Sequence, residues 1–228
     1  MPRIVFSSAS ISFDGDRVLD PISVELKEQR IGIIGANGGG KSSFIRLING
    51  LGEPTSGSVS VDGLEVARHG KKVRRKVGFV FTDAENQIVM PRVEDDIRFS
   101  LKRLKLSSTE RDARVEEVME RFGLSAYREH SPHTLSGGQK QLLALAAVLV
   151  MQPEVLIADE PTTLLDLRNR EQLRHIIAEL SQQVIVVTHD LGFIRDFDRV
   201  LWIDNHTIRE DGPPAEVIAH YERAMIEG

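Results

Sequence analysis

The chain reads as an α/β protein whose mostly parallel core sheet is interrupted by a helical insertion from about residue 84 to residue 152. Three observations carry that reading. Arg30-Ile31-Gly32-Ile33-Ile34-Gly35 is a short β-branched strand that runs into a glycine-rich turn and then an apolar-periodic segment, Ser42 to Leu51. Val155 to Ala158 and Val184 to Val187 are two further β segments with a helical pattern, Leu167 to Leu180, between them. Strand, helix and strand in that order imply parallel pairing through right-handed crossovers. Between Ala84 and Met151 the period changes to i, i+3, i+4.

The elements follow in chain order. Ile4 to Phe13 alternates as a strand, and Asp14-Gly15-Asp16 is a turn signal. Ile22 to Leu26 reads as a second strand, Gly57 to Asp62 as another, and Val77 to Phe81 as a buried one. The basic run Lys71 to Lys76 reads as a solvated helix face. Helical spacing covers Arg92 to Leu104, Thr109 to Phe122 and Gly138 to Met151. From Val200 a short strand is expected, then a turn at Asp211-Gly212-Pro213-Pro214, then a helix from Ala215 to about Met225.

Composition narrows the classes. With 228 residues, 41% hydrophobic and 28% charged, the chain is neither disordered nor membrane-embedded in character. Its net charge of −5 gives no global reason to expect nucleic acid as a partner. The absence of cysteine excludes disulfides, thiolate metal sites and cysteine nucleophiles. No targeting signal is visible at Met1-Pro2-Arg3. The longest apolar stretch, Leu142 to Met151, is far short of the roughly 20 residues a bilayer-spanning helix needs. A role at a membrane would therefore be that of a peripheral subunit.

Gly35-Ala36-Asn37-Gly38-Gly39-Gly40-Lys41-Ser42 matches G-x-x-x-x-G-K-[ST] in a strand–turn–helix setting. A triphosphate needs many N–H donors converging on one point. Glycines allow that approach, and the following helix adds its own N–H groups and positive dipole end. Lys41 supplies charge to the β- and γ-phosphates, and Ser42 a hydroxyl ligand to Mg²⁺. Asp159 and Glu160 end the strand Val155 to Ala158, where open α/β sheets bind ligands. Asp159 is placed to organise Mg²⁺ and Glu160 to polarise an attacking water. Leu135-Ser136-Gly137-Gly138-Gln139 precedes a helix and makes a second anion-binding helix start. His130 and His133 lack further ligand candidates nearby and read as surface-loop residues.

With these motifs the sequence resembles the ATP-binding-cassette ATPases over essentially its whole length, and the LSGGQ signature stands unaltered at 135–139. The resemblance implies a P-loop fold in which residues 1–83 and 153–228 form the nucleotide-binding core, with N-terminal antiparallel strands. Residues 84–152 would form the helical signature subdomain. It implies ATP and Mg²⁺ as ligands, with Phe13 stacking on adenine beside Val18. Asn37, Gly38, Gly39, Gly40, Lys41, Ser42 and Ser43 would lie on the phosphates. Ser136, Gly137, Gly138 and Gln139 would complete the site from a second copy packed head to tail. Glu160 becomes the catalytic carboxylate, His189 the histidine that senses the γ-phosphate, and Asp166 the end of a dimer-contact loop.

Three positions depart from the family pattern. Thr82 stands where a Mg²⁺-ligating Gln is usual and is shorter by two heavy atoms, which leaves direct coordination by Thr82 open. It implies slow intrinsic hydrolysis. Ala84 replaces a usual Pro, and Leu164 occupies a position where small residues are common. The segment Val80 to Ile88 and the stretch Asp159 to Asn169 resemble energy-coupling-factor importers, most of all their biotin-uptake ATPases. That implies a paired ATPase, identical or related, at the cytoplasmic face of the membrane. Its partners would be a transmembrane coupling subunit, gripped near Thr82 to Val93, and a membrane subunit that binds the solute. Cobalt or nickel import, and a soluble ATPase of protein assembly, remain the alternatives.

Overall fold

The computed structural model describes residues 1–227. Its elements are β1 (Ile4–Phe13), β2 (Asp16–Leu26), β3 (Arg30–Ile34), α1 (Lys41–Asn49), β4 (Ser56–Val61), β5 (Leu64–Glu65), α2 (Val66–Lys76) and β6 (Val77–Val80). Three helices follow, α3 (Val93–Ser100), α4 (Ser108–Arg121) and α5 (Gly137–Leu149), with one 3₁₀ turn between α3 and α4 and two between α4 and α5. The chain closes with β7 (Val155–Asp159), α6 (Leu167–Glu179), β8 (Gln183–Val187), β9 (Arg199–Asp204), β10 (Thr207–Gly212) and α7 (Pro214–Glu227).

Two sheets result. An antiparallel one has the order β2-β1-β4-β5, and a six-stranded one the order β10-β9-β3-β8-β7-β6. All pairs of the second are parallel except β9 with β10. Its five parallel strands are buried on both faces, while β10 is an exposed edge strand, and the alternation along them sorts side chains into two cores. Ile34, Val80, Leu156, Val186 and Trp202 face the helices of the insertion together with α6 and α7. Ile33, Phe79, Ile157, Ile185 and Leu201 face α1 and the antiparallel sheet, where Phe6 stacks on Phe44 at 4.3 Å.

Two expectations need correction. The second strand begins at Asp16, not Ile22, because β1 and β2 stay paired through register shifts. Pro21 is tolerated there because β2 is an edge strand. The C-terminal turn is not at Asp211–Pro214, since Asp211 and Gly212 end β10. The chain reverses instead at Asn205-His206, both at positive φ (46° and 70°), a two-residue hairpin turn that matches the strand twist.

Candidate functional site

The strand order places β8 between β3 and β7, so the loops leaving these three strands meet at one edge of the sheet. They carry the phosphate loop, the acidic pair and the histidine predicted from sequence.

In the phosphate loop, Gly35 has φ 142°, and a Cβ there would lie 1.8 Å from the Ile203 carbonyl oxygen. Gly40 (φ 100°) is the N-cap of α1, and its missing Cβ leaves room for Leu19 and the Val18 carbonyl. Val18 therefore lies against the phosphate loop, while Phe13, at the tip of the same hairpin, presents an exposed ring. No side chain caps the N-terminus of α1, which leaves its first N–H groups without a side-chain acceptor. Lys41 is buried and donates to the carbonyls of Gly35 (2.7 Å) and Ala36 (2.8 Å). Burial pulls its pKa down, against the fields of Glu160, Asp159 and Asp204.

Asp159 ends β7 and is 2% exposed. Burial raises its pKa; the Ser42 hydroxyl, Arg46, the Thr82 hydroxyl and Lys41 oppose that rise. One carboxylate oxygen, Oδ1, is buried with no hydrogen-bond partner. An orphaned anionic oxygen beside two hydroxyls is a hard-oxygen donor set of the kind Mg²⁺ takes, so the residues suit that ion. Gln87 does not substitute for the missing glutamine at 82. Its amide is occupied, accepting from the Phe81 N–H (3.2 Å) and donating to the Phe79 carbonyl (3.4 Å).

Glu160 sits at φ 52°, a strained backbone for a non-glycine residue, held by its N–H donating to Val187 O (2.8 Å). Its Oε2 lies 2.8 Å from His189 Nδ1 and accepts the His189 backbone N–H at 3.3 Å. With the carboxylate accepting, the ring proton is assigned to Nδ1. Beneath them the hydroxyls of Thr162 and Thr188 meet at 3.5 Å in the core. The sequence reading did not single out that pair, Arg46 or Asp204: Arg46 lies one turn beyond Ser42 on α1, a spacing that could have found it, whereas Asp204 arrives from β9 through the strand order.

Ser136 caps α5. Its hydroxyl accepts the Gln139 N–H (3.3 Å), and Gln139 Oε1 accepts the Ser136 N–H (2.9 Å). Gly137 and Gly138 pack against Leu164, and Gly138 also against Asn169. Among the described residues, no hydrogen bond or ion pair joins Ser136–Gln139 to the phosphate loop. His130 and His133 are exposed, and among the described residues no three His, Asp or Glu side chains cluster as a metal site.

Beside the site, an open groove of about 860 Å³ runs between β6 and the insertion. Its walls include Phe79, Phe81, Val89, Phe99, Val148 and Met151. Asp96, buried, accepts the N–H groups of Val89 (2.8 Å) and Met90 (2.9 Å) and fixes the loop at the groove's rim. Lys140, one residue past the 135–139 motif, pairs with Glu85 on that loop. Among the described residues no helix is long and apolar enough to cross a membrane.

Known proteins share this fold. The family model described as "ABC transporter" matches residues 19–163. A putative ABC transporter ATP-binding protein of Deinococcus radiodurans is 54% identical over 93% of this chain and 94% of its own length. The biotin transport ATP-binding protein BioM of Rhizobium etli is 48% identical over 96% of this chain and 97% of its own. Among solved structures, cbiO1 of Clostridium perfringens, part of the ABC transporter complex cbiONQ, superimposes with a TM-score of 0.85. Its identity is 32%, covering 96% of this chain and 91% of that one.

Proposed function

The chain belongs to the ABC transporter family, as an ATPase that binds ATP with Mg²⁺, and we propose that it powers an energy-coupling-factor importer of biotin. The observation that carries the ATPase chemistry is the convergence of Lys41, Asp159, Glu160 and His189 where β3, β7 and β8 end. The solute rests on the 48% identity to a biotin transport ATPase across nearly both full lengths.

In this reading the phosphate-loop N–H groups and Lys41 bind the β- and γ-phosphates. Phe13 and Val18 receive the adenine. Ser42, Asp159 and the Thr82 hydroxyl would hold Mg²⁺, which when bound neutralises charge on the phosphate oxygens. Glu160 accepts a hydrogen bond from the attacking water and polarises it toward the γ-phosphorus, and His189 orients Glu160. The Ser136 helix start of a second copy, identical or related, closes over the γ-phosphate. That binds the pair only while the nucleotide is triphosphate, so hydrolysis biases the pair toward opening. The apolar groove beside Phe81 and Val89 receives a segment of the transmembrane partner. A separate membrane subunit binds the solute, and the chain works at the cytoplasmic membrane face. Residues 84–152 move with the partner as the signature lobe, and residues 1–83 with 153–228 as the nucleotide core.

Uptake of labelled biotin, cobalt and nickel by cells lacking the chain tests the solute. Loss of biotin uptake alone is expected; normal biotin uptake rejects the assignment. Glu160→Gln tests the chemistry, with hydrolysis expected to fall by at least two orders of magnitude.

A further inference from the structure

We infer that Arg170 is a positioning residue that holds the Glu160–His189 pair in register by gripping Asp190. The inference rests on the ATPase roles proposed for Glu160 and His189.

Arg170 lies in the first turn of α6, immediately after the loop that carries Glu160. Its Nη2 donates to Asp190 Oδ1 at 2.7 Å. Its Nε lies 2.5 Å from Asp190 Oδ2, a close ion contact without hydrogen-bond alignment. The side chains are only 28% and 22% exposed, so solvent screens the pair less than a surface salt bridge.

Asp190 is tied on its other sides as well. Its N–H donates to Thr188 Oγ1 (3.0 Å), and its Oδ1 accepts the Phe193 N–H (3.2 Å). His189 is therefore flanked by two anchored residues, Thr188 and Asp190. A Cβ on Gly192 would lie 3.0 Å from Arg170 Nη2, so the guanidinium is closely packed there.

The other side of the ring is equally short. The Arg170 N–H donates to Asp166 O (2.9 Å), and Asp166 Oδ1 caps α6 through the Asn169 N–H (2.8 Å). From Asp166 the loop returns through Leu165 N–H to Thr162 O (3.1 Å) and Thr163 N–H to Glu160 O (3.3 Å). Glu160 then meets His189 at 2.8 Å. The circuit from Glu160 through Asp166, Arg170, Asp190 and His189 back to Glu160 is closed. Arg170 is the one cation in it that binds both segments, and it touches no reacting atom. Its planar fork reaches both oxygens of Asp190, which a lysine ammonium cannot do.

A displacement near 1 Å of a catalytic group costs up to about 100-fold in rate. Steady-state hydrolysis by the full chain, at protein concentrations that saturate the rate, tests the inference. Arg170→Gln and Asp190→Asn should each lower kcat 10- to 100-fold, with KM for ATP changed less than twofold. The double variant should be no slower than either single, because both remove one link. Arg170→Lys should fall between, and the exchanged pair Arg170→Asp with Asp190→Arg should recover part of kcat. Equal kcat for Arg170→Lys, Asp190→Asn and the parent overturns the inference, and so does multiplication of the two single losses in the double. A merely structural role would move thermal stability and KM together without rescue by the exchanged pair, and that pattern also overturns it. Full hydrolysis by Glu160→Gln would instead remove the ATPase assignment itself, so the two failures are separable.

Discussion

Replacing Asp159 by Asn should stabilise the nucleotide-free protein while abolishing its Mg²⁺-dependent hydrolysis. The carboxylate is 2% exposed, and one of its oxygens has no hydrogen-bond partner. Burial raises its pKa above the unfolded value despite Ser42, Arg46, Thr82 and Lys41 nearby. The folded state thus holds the proton more tightly than the unfolded chain does. Stability attached to this group is complete below the unfolded pKa and lost as pH rises through the folded one. Above the folded pKa the ionised group is a net cost. An unsatisfied buried polar group costs about 1–3 kcal/mol, and more when charged. Asn keeps the shape and removes the charge. At roughly 2–4 °C per kcal/mol for a domain of this size, the melting temperature in chelator at neutral pH should rise by about 2–12 °C. The advantage should shrink as pH falls through the folded pKa, where the parent carboxyl becomes neutral. Thermal melts across that pH series measure both effects. A neutral-pH variant that melts below its parent, with no closing of the gap in acid, refutes the reasoning.

Three further outcomes are expected. Ser136→Ala removes the acceptor of the Gln139 N–H and leaves the reciprocal bond, at a cost of about 0.5–1 kcal/mol; melting should fall by only roughly 1–4 °C. Steady-state hydrolysis should drop more than tenfold, and a full rate would take Ser136 out of the nucleotide site. Gly35→Ala should prevent folding, because its Cβ would stand 1.8 Å from Ile203 O, whereas Gly38→Ala meets no atom within 4 Å and bears only left-handed strain of about 1–2 kcal/mol; equal melting temperatures would contradict this. Thr82→Gln lengthens the oxygen donor toward the Asp159 site and should raise the hydrolysis rate and sharpen its Mg²⁺ dependence; an unchanged rate and Mg²⁺ titration would show that the short side chain is not limiting.

The site was legible wherever its chemistry is local in the chain. The phosphate loop, Asp159-Glu160 and Leu135–Gln139 each join a strand or loop to the next element, so a few consecutive residues state both their geometry and their ligand. The hairpin at Asn205-His206 was not legible, because its positive φ values sit on residues other than glycine. The extension of β2 back to Asp16 was hidden by Pro21, which an edge strand accepts.

The parallel core strands, the helical insertion, and the glycine-rich and serine-capped helix starts with their residue types are all written in the linear order of the residues. Local periodicity and backbone freedom are properties of neighbouring residues, and a linear pattern carries them. Packing of the whole chain sets β8 between β3 and β7, and with that the meeting of Lys41, Asp159, Glu160 and His189. It also decided that Arg170 reaches Asp190 and that Gln87 is already committed to Phe79 and Phe81. Strand order, burial and the choice of side-chain partners depend on how whole layers pack, and a linear pattern does not contain that information.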